Sequence, residues 1–356
     1  MHGGAEKVLV NLVNNLDVTK YEVTLYSIFD RGVNKEFLKQ HIKYRYKFKK
    51  VFRGNTYFFN LFTPEFLYRW LVKDPYDIVV SYLEGPATRI AAGAPTKKVA
   101  WVHIELNDEK KATTGFRNIK EAKKYYEGFD QVVGVSEVVV NYFKKWVSEK
   151  VPSRVLYNTN ETEVIKQKAK EPAEVTFSKG VVNLVSVAKI VKTKGYDRLM
   201  EVHKRLLDEG FPHTVNVLGI GEEKENLEKK AKALGVEKTF NFLGFHKNPY
   251  PLIARGDLYI CSSFREGFST AVSEALILGV PVVSTDCSGA KEMLGESNEY
   301  GIVTESTEEG IYHGIREMLE NPVKLKHYKQ QALHRGSFFS KKETVGAVEK
   351  LFDSLL

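Results

Sequence analysis

Residues 265–274 read R-E-G-F-S-T-A-V-S-E, and this stretch decides how the second half of the chain folds. The residues before it, 258–263, form a short β-rich apolar run that is typical of a buried strand. After it, apolar side chains recur at helical spacing until residues 279–281, Gly-Val-Pro, end the helix. The pattern predicts a strand, a tight loop and the start of a helix, which is where α/β sheets bind ligands.

The same stretch carries groups that suit a phosphate and a sugar. Ser269 or Thr270 can cap the helix, and the free N–H groups and positive dipole end of a capped helix attract a phosphate. Glu266 is predicted to lie in the loop, and Glu274 about one turn inside the helix. Each carboxylate can accept two hydrogen bonds side by side, which matches the vicinal diol of a ribose or a hexose.

This stretch closely resembles the Glu-x7-Glu motif of retaining glycosyltransferases with the GT-B fold, family 4 in particular. The resemblance implies an α/β fold in which two Rossmann-like, doubly wound domains face each other across a cleft. It also implies that Glu266 holds sugar hydroxyls and that Glu274 holds the ribose diol. The other residues that it places around the nucleotide-sugar are Gly267, Phe268, Ser269 and Thr270. From the residues alone, the alternative is two solvated carboxylates.

Two lysines stand where the first strand of the second domain gives way to a helix. Residues 181–189 are predicted to form that strand, Lys189 ends it, and Lys194 precedes the helix. Most surface lysines are simply solvated. The resemblance instead implies that both cations neutralise the diphosphate of the donor. Lys189 replaces the arginine that is more usual in the family, so charge is kept while bidentate geometry is lost.

Glycine-containing turns follow two more predicted strands. Gly219 and Gly221 form G-I-G, but Lys224 stands where a dinucleotide fingerprint needs a third glycine, which disfavours an NAD dehydrogenase. The turn resembles the Gly-x-Gly turn that lines the nucleotide pocket in the family. The loop after residues 240–245 resembles the one that holds the base through backbone groups, which implies roles for Gly244 and Phe245.

In the first half, two features match the family. Gly3 and Gly4 precede a helix, so they either let a sugar or anionic ligand approach the backbone or form a plain N-cap turn. The family has a Gly-Gly-Ala-Glu-like turn here, close to donor and acceptor. His103 ends a predicted strand, 97–103, where a histidine is usually structural. The resemblance implies that His103 lies near the donor sugar and diphosphate.

Regular alternation of strand and helix patterns predicts parallel sheets covered on both faces. We expect an acceptor-binding Rossmann-like domain at residues 1–160 and a nucleotide-sugar-binding one at 161–340, with a polar linker at 160–180. Residues 341–356 are expected to form a helix that returns to the first domain.

The start of the chain departs from the family pattern, in which an apolar strand precedes the glycine turn. We expect the native protein to continue upstream by about ten residues, including a strand of roughly five to six apolar ones. That strand would lie between the strands predicted at 22–28 and 78–82.

Composition narrows the class of protein. The chain has 356 residues and a net charge of +8. Residues 1–160 carry 26 Lys and Arg against 17 Asp and Glu, whereas the remainder carries 27 against 28, so the first half favours an anionic partner. No apolar run approaches the roughly 18 residues of a membrane helix. Two cysteines give neither a disulfide framework nor zinc spacing, and no Asp-x-Asp metal motif occurs, so we expect no cofactor or metal and a cytoplasmic location.

Residues 42–48, I-K-Y-R-Y-K-F, alternate cations with apolar side chains and predict a strand with one basic face. With the cations that follow, it forms what we call the basic strip: Lys43, Arg45, Lys47, Lys49, Lys50 and Arg53. The strip suits an edge strand protected by lysines, an anionic membrane surface, or single-stranded nucleic acid. We expect the first two together and no nucleic acid.

These observations predict a retaining transferase that moves a sugar from a UDP-sugar to a glycan or lipid-linked acceptor in cell-surface polysaccharide synthesis. The protein would work in the cytoplasm, peripherally on the inner face of the cell membrane. The alternatives are a nucleotide-sugar epimerase or phosphorylase of the same fold, and a non-catalytic membrane-surface partner of a transferase.

Overall fold

The computed structural model describes residues 4–173 and 175–356, so Gly3, one of the predicted nucleotide-sugar contacts, lies outside the described residues. The chain forms two compact units. Unit 1 combines Met1–Asn160 with Lys341–Leu356, and unit 2 is Glu161–Ser340. No helix in the described part of the chain has both the length and the apolar character needed to cross a membrane.

Unit 1 contains two parallel sheets. One pairs two strands, and the other has four strands in the order β3-β4-β5-β6. The strands are β1 (Thr24–Phe29), β2 (Lys43–Phe48), β3 (Ile78–Ser81), β4 (Lys97–Val102), β5 (Gln131–Gly134) and β6 (Ser153–Val155). The central strands β4 and β5 are buried along most of their length, as expected when helices cover both faces of a parallel sheet.

Helices connect these strands, and polar side chains cap several of them. Ser136, for example, accepts a hydrogen bond from the Val139 N–H and so satisfies a donor at the helix start. The helices are α1 (Gly4–Val13), α2 (Asn55–Asn60), α3 (Pro64–Leu71), α4 (Pro86–Ala92), α5 (Glu109–Ala112), α6 (Ile119–Tyr126) and α7 (Glu137–Trp146).

The two strands that were expected to flank an additional strand lie in different sheets. β1 pairs with β2, β3 pairs with β4, and no ladder between β1 and β3 is present in the described residues. A strand upstream of the chain stays a prediction.

Strand β2 is an edge strand in the described part of unit 1, since it pairs with β1 alone. Its cations are partly neutralised by neighbours. Lys43 forms an ion pair with Glu22, and Arg45 forms one with Asp74. Lys47 lies over the Trp70 ring. The predicted edge position of this strand is therefore present, and the protective role of its charges stays a prediction.

Unit 2 is built around one six-stranded parallel sheet with the order β12-β11-β10-β7-β8-β9. Its strands are β7 (Val182–Val187), β8 (His213–Leu218), β9 (Phe240–Gly244), β10 (Leu258–Cys261), β11 (Val282–Thr285) and β12 (Ile302–Thr304). The first strand, β7, lies in the middle of the sheet, and β8 and β9 follow it outward on one side. The next strand, β10, pairs with β7 on its other side, and β11 and β12 follow outward from there. This order is typical of doubly wound folds.

In the described part of unit 2, one α-helix precedes these strands and seven lie between and after them. They are α8 (Thr162–Lys168), α9 (Tyr196–Asp208), α10 (Lys224–Leu234), α11 (Tyr250–Arg255), α12 (Thr270–Ile277), α13 (Ala290–Leu294), α14 (Glu308–Glu320) and α15 (Pro322–Phe338). Helix α8 falls in the stretch that was interpreted as a linker. Only one apolar side chain of this helix, Ile165, is buried, so the polar composition of the segment did not indicate a helix.

The last helix, α16 (Lys341–Asp353), belongs to unit 1 and packs near the end of α1. Tyr21 contacts Phe352 edge to face at 5.9 Å and donates its hydroxyl to Asp353 at 2.5 Å. Glu349 accepts a hydrogen bond from the Asp17 N–H at 2.8 Å. Both apolar and polar contacts therefore fix the end of the chain to unit 1.

A buried chain of histidines crosses the core of unit 2. The Phe211 carbonyl accepts from His213 Nδ1 at 2.8 Å, which requires the proton on that nitrogen. His213 Nε2 then accepts from His203 Nδ1 at 2.8 Å, and His203 Nε2 accepts from the Thr239 hydroxyl at 2.9 Å. The hydrogen bond between the two rings therefore requires a neutral His213, whose unprotonated Nε2 is the acceptor.

Burial, with the neighbouring His213, lowers the pKa of His203 to about 3, and burial lowers the pKa of His213 as well. In the unfolded chain both titrate near pH 6.5, so below that pH the unfolded state binds more protons. We expect unit 2 to lose stability as the pH falls from about 6.5, by up to about 1.4 kcal/mol per pH unit for each histidine.

The measurement is the free energy of unfolding by urea at a series of pH values. His203→Leu should flatten the slope below pH 6.5, whatever its own stability, while His327→Gln, at an exposed histidine, should keep the wild-type slope. An equal slope in wild type and His203→Leu would contradict the assignment.

Candidate functional site

The order of the strands in unit 2 creates a crevice at one edge of the sheet. β7 and β10 are neighbours, but the connections that leave them run to opposite sides. Loops at such a switch point diverge and leave a crevice at the carboxyl ends of the strands, where doubly wound proteins bind ligands. A small pocket lies at this point, and its lining includes Ser186, Ala188, Lys194, Ser263, Glu266 and Ser269.

Lys194 and Glu266 meet in this pocket. The Lys194 ammonium lies 2.6 Å from Glu266 Oε1, and both side chains are largely buried. The same oxygen accepts the Ser263 hydroxyl at 2.7 Å. The sequence placed these two residues 72 positions apart, and the structure brings them together as a hydrogen-bonded ion pair. Lys194 is therefore a positioned cation, with less rotamer freedom than a solvated lysine.

Backbone contacts tie together the loops that carry this pair. The Ser262 hydroxyl donates to the Lys194 carbonyl at 2.8 Å, and the Phe264 N–H donates to the Thr193 carbonyl at 2.9 Å. Gly195 has a φ of +67°, and a Cβ there would stand 2.3 Å from the Ser262 carbonyl oxygen. Only glycine fits between the loops at this point.

The start of α12 adds positive potential at the same edge. The Ser269 side chain caps the helix by accepting from the Val272 N–H at 3.4 Å, and Ser269 also lines the pocket. Thr270 is the first residue of the helix. The predicted strand, loop and capped helix start are all present. An anion in this pocket would meet both the Lys194 ammonium and the helix dipole.

Glu274 lies inside α12 and is buried. The Tyr250 hydroxyl donates to its Oε1 at 3.2 Å, so a residue that the sequence analysis did not single out helps to hold this carboxylate. Its predicted contact with a ribose stays a prediction.

The glycine turn after β8 approaches the loop after β7 closely. A Cβ on Gly219, whose φ is +149°, would stand 1.9 Å from the Ala188 carbonyl oxygen, and one on Gly221 would stand 2.1 Å from that of Ile190. Glycine at these two positions therefore has a structural cause within unit 2, namely the contact between two loops, and the contact of this turn with a nucleotide stays a prediction.

The remaining predicted residues of unit 2 differ in exposure. Lys189 is exposed just past the end of β7, and Phe245 is exposed just past β9, next to Gly244 with its φ of +80°. The Phe268 ring is buried and contacts Phe339 edge to face at 5.7 Å. The aromatic ring of Phe268 is thus a core group, so in this structure a ligand could meet the backbone of Gly267 and Phe268 rather than that ring.

In unit 1, Gly4 begins α1 and is exposed, and His103 follows β4 directly. His103 Nε2 is buried and has no hydrogen-bond partner among the described residues. Burial lowers the pKa of His103 to about 4, so the imidazole is neutral at pH 7. A buried, unpartnered ring nitrogen in native protein points to a ligand or an ordered water.

Glu84 is a site residue that the sequence analysis missed. Its Oε1 accepts the backbone N–H groups of His103 and of Ile104, the second at 3.0 Å. Burial raises the pKa of this carboxyl. The signal was an acidic residue just after the β3 strand pattern, at the same sheet edge as His103.

In the ranges 4–173 and 175–356, no group of three or more His, Cys, Asp or Glu side chains is arranged to hold a metal ion. The pocket in unit 2 brings together a lysine, a carboxylate and the start of a helix.

Comparison with known proteins covers nearly the whole chain. Residues 167–335 match the family model of glycosyl transferases group 1, and residues 2–164 match that of Glycosyltransferase Family 4. A Campylobacter jejuni protein named N-acetylgalactosamine-N,N'-diacetylbacillosaminyl-diphospho-undecaprenol 4-alpha-N-acetylgalactosaminyltransferase is 33% identical over 189 residues, which are 52% of this chain and 50% of that protein. The alignment thus spans about half of that relative.

Longer alignments have lower identity. An uncharacterized glycosyltransferase of Haemophilus influenzae is 26% identical over 90% of this chain and 88% of its own length. The lipopolysaccharide core biosynthesis glycosyltransferase LpsE of Rhizobium meliloti is 26% identical over 89% of this chain and 86% of its own.

Solved structures share the fold. Anabaena Alr3699/HepE in complex with UDP superposes with a TM-score of 0.78, covering 99% of this chain and 97% of that one at 18% identity. A glycosyltransferase from Rickettsia africae gives 0.79, with 99% and 95% coverage at 16% identity. At these identities the likeness establishes the architecture, and the predicted GT-B fold is confirmed.

Because the two loops near the pocket approach closely, a side chain added at the contact should lower the stability of the protein. Gly221→Ala should destabilise the protein by about 1–3 kcal/mol, because the new Cβ displaces the backbone at Ile190. The control is Gly346→Ala in α16, where nothing lies within 4 Å of the added carbon. That change should be neutral or stabilise by up to about 1 kcal/mol. Thermal unfolding of both variants checks this, and a Gly221→Ala protein as stable as wild type would contradict the described loop contact.

Proposed function

We propose, starting from the fact that this chain belongs to the glycosyltransferases of group 1 and family 4, that the protein transfers a sugar from a nucleotide-diphosphate donor with retention of anomeric configuration. The observation that carries the proposal is the Lys194–Glu266 pair at the switch point of unit 2, beside the capped start of α12.

The proposed donor is a UDP-sugar. Support comes from Anabaena Alr3699/HepE, which shares the fold and whose structures hold UDP and UDP-glucose. In this chain, the diphosphate would lie against Lys194, Lys189 and the N–H groups at Ser269 and Thr270. Glu274 would accept hydrogen bonds from the ribose diol, and Glu266 from sugar hydroxyls. Gly219, Gly221, Gly244 and Phe245 would line the nucleotide.

The reaction that we propose breaks the bond between the anomeric carbon and the leaving diphosphate oxygen. An acceptor hydroxyl attacks the anomeric carbon from the same face, through an oxocarbenium-like state, and its proton passes to the departing diphosphate. Negative charge grows on the diphosphate as the bond breaks, so Lys194 and the helix start stabilise the transition state more than the ground state.

His103 of unit 1 would hold a sugar or phosphate oxygen through its buried Nε2. A neutral imidazole carries one proton. Nε2 therefore accepts a hydrogen bond when the proton is on Nδ1 and donates one when the proton is on Nε2. Glu84 would keep this ring in place through the backbone of His103 and Ile104. Unit 1 would bind the acceptor, and unit 2 the donor.

The proposed acceptor is a glycan or lipid-linked saccharide of cell-surface polysaccharide synthesis. The names of two relatives support it. The Campylobacter jejuni protein is named for a diphospho-undecaprenol substrate, and the Rhizobium meliloti protein for lipopolysaccharide core biosynthesis. A lipid-linked acceptor would place the protein in the cytoplasm, peripherally at the inner face of the cell membrane, with the basic strip towards anionic lipid.

A screen of UDP-, GDP- and ADP-sugars by thermal shift, followed by turnover with the best donor, tests the function. Lys194→Ala should lower turnover by about 10²–10³-fold, because the charge that develops on the diphosphate loses its cation. Lys192→Ala, in the same turn but exposed, is the matched control and should keep wild-type turnover. Wild-type kinetics in folded Lys194→Ala would remove the assignment, and donor binding without any turnover would favour a non-catalytic partner.

Glu274 should act on donor binding rather than on the chemical step. Glu274→Ala is expected to raise KM for the donor by about 10–100-fold, as the loss of hydrogen bonds to a charged group predicts. Tyr250→Phe, which removes the hydroxyl that contacts Glu274 but leaves the carboxylate, should raise KM less. Steady-state kinetics of both variants measure this, and an unchanged KM in Glu274→Ala would exclude the ribose contact.

A further inference from the structure

Four aromatic side chains in unit 1 recur at every fourth position across α2 and α3: Phe58, Phe62, Phe66 and Trp70. Their rings touch in series, with centroids 5.3 Å apart for Phe58–Phe62, 5.2 Å for the stacked Phe62–Phe66 and 6.2 Å for Phe66–Trp70. We call this continuous row the aromatic ridge.

The base of the ridge is fixed to the core of unit 1. Phe59 and Leu67, on the same two helices, are fully buried. Phe58 and Trp70 pack on the cluster that these residues form, and Phe52 contacts Phe58 edge to face at 5.5 Å. A rigid base means that the exposed side of the ridge needs little ordering when it meets a partner.

Three apolar side chains of the segment that carries the ridge are open to solvent, and we call Tyr57, Leu61 and Phe66 the crest. The exposed fractions are 81% for Tyr57, 72% for Leu61 and 50% for Phe66. Exposed apolar side chains scattered singly are ordinary, whereas three at residues 57, 61 and 66, in the segment that carries the aromatic row, are typical of an interaction surface.

Cations surround this crest. Lys49, Lys50 and Arg53 precede α2 and are exposed, and Arg69 is exposed on α3. Arg117 lies against the crest itself, because its guanidinium donates to the Asn60 carbonyl at 2.6 Å and to the Leu61 carbonyl at 3.1 Å. Two acidic residues lie nearby: Glu65 adjoins Phe66 and accepts the Tyr125 hydroxyl at 3.4 Å, and Glu121 lies 3.8 Å from the Arg117 guanidinium. The cations that precede α2 therefore carry the positive charge of the rim.

We propose that Tyr57, Leu61 and Phe66 insert into the interfacial layer of a bilayer that contains anionic lipid, while Lys49, Lys50 and Arg53 contact the headgroups. This deepens the membrane contact of the proposed function by naming the part of the protein that enters the lipid. Aromatic side chains favour the level of the headgroups, and stable attachment needs an apolar anchor as well as basic residues.

The ion pairs within the basic strip agree with a lipid contact that lies next to the aromatic ridge. Lys43 and Arg45 are neutralised by Glu22 and Asp74, so the strand end of the strip has little charge to offer a membrane. Lys50 and Arg53, next to the ridge, make no ion pair among the described residues. The lipid contact is therefore placed at α2 and the start of α3 rather than along β2.

The experiment is cosedimentation of the full chain with phosphatidylcholine vesicles made with and without phosphatidylglycerol. Wild type should bind the anionic vesicles and retain part of the binding in high salt. Leu61→Ser with Phe66→Ser should lower the partition coefficient by about tenfold or more, since two apolar groups no longer enter the lipid. The control is Val323→Ser, at an equally exposed apolar residue of α15 in unit 2, which should bind like wild type.

Insertion also has a spectroscopic readout that does not depend on partition. Brominated lipid should quench the fluorescence of Trp70, and Trp70→Phe should abolish that quenching while keeping an aromatic ring in the ridge. Thermal unfolding of each variant confirms that it is folded.

Three results would overturn the proposal. Unchanged vesicle binding of the Leu61→Ser, Phe66→Ser variant, with binding lost in high salt, would leave only an electrostatic contact. A change from dimer to monomer in that variant, without an effect on vesicles, would assign the surface to a second copy of the chain. Absence of binding by wild type would reject the membrane contact altogether, while turnover with a nucleotide-sugar would still support the glycosyltransferase function.

Discussion

The ion pair between Lys194 and Glu266 is the interaction around which the structure of unit 2 is arranged. A lysine and a glutamate from distant parts of the chain can meet there because β7 and β10 are adjacent and end at the same edge of the sheet. Gly195 lets the two loops approach closely, and Ser263 orients the carboxylate. The pair keeps a cation in a partly buried place, where its field is less screened than at the surface.

Much of this site could be predicted from the sequence, because each motif was recognised together with the strand that precedes it and the helix that follows it. The strand before residue 265, the helix start at Ser269 and the glycines at 219 and 221 all appear where the pattern predicts them. A pattern in the sequence does not show which strands are adjacent in the sheet, and so does not show which side chains meet there. Sequence spacing therefore identified Glu266 and Lys194 separately, while their 2.6 Å contact follows from the strand order.

The differences have local physical causes. Helix α8 was interpreted as part of a linker, because its one buried apolar side chain, Ile165, gives too weak an apolar period to predict a helix. Phe268 was predicted to contact the nucleotide-sugar; its ring packs on Phe339, so a contact there would use its backbone, and that contact stays a prediction. Glu84 was missed because its importance comes from two backbone N–H groups just past the end of a neighbouring strand.

In unit 1, alternating cations on β2 pointed to a surface role but did not show which of them are neutralised. The sequence analysis did not use the period of four from Phe58 to Trp70, and the meaning of that period depends on which side of the row is buried. Phe59 and Leu67 face the core, which leaves Tyr57, Leu61 and Phe66 at the surface. Ion pairing and burial, rather than composition, therefore separate a protective charge from one that can serve a partner.

Hydrogen–deuterium exchange of the full chain with and without uridine diphosphate tests the central claim most directly, namely that the carboxyl edge of the unit 2 sheet binds a nucleotide diphosphate. The account predicts slower exchange in peptides covering residues 188–196 and 262–274, with the effect lost in Lys194→Ala. Slower exchange confined to other parts of the chain, or the same protection in Lys194→Ala, would contradict it.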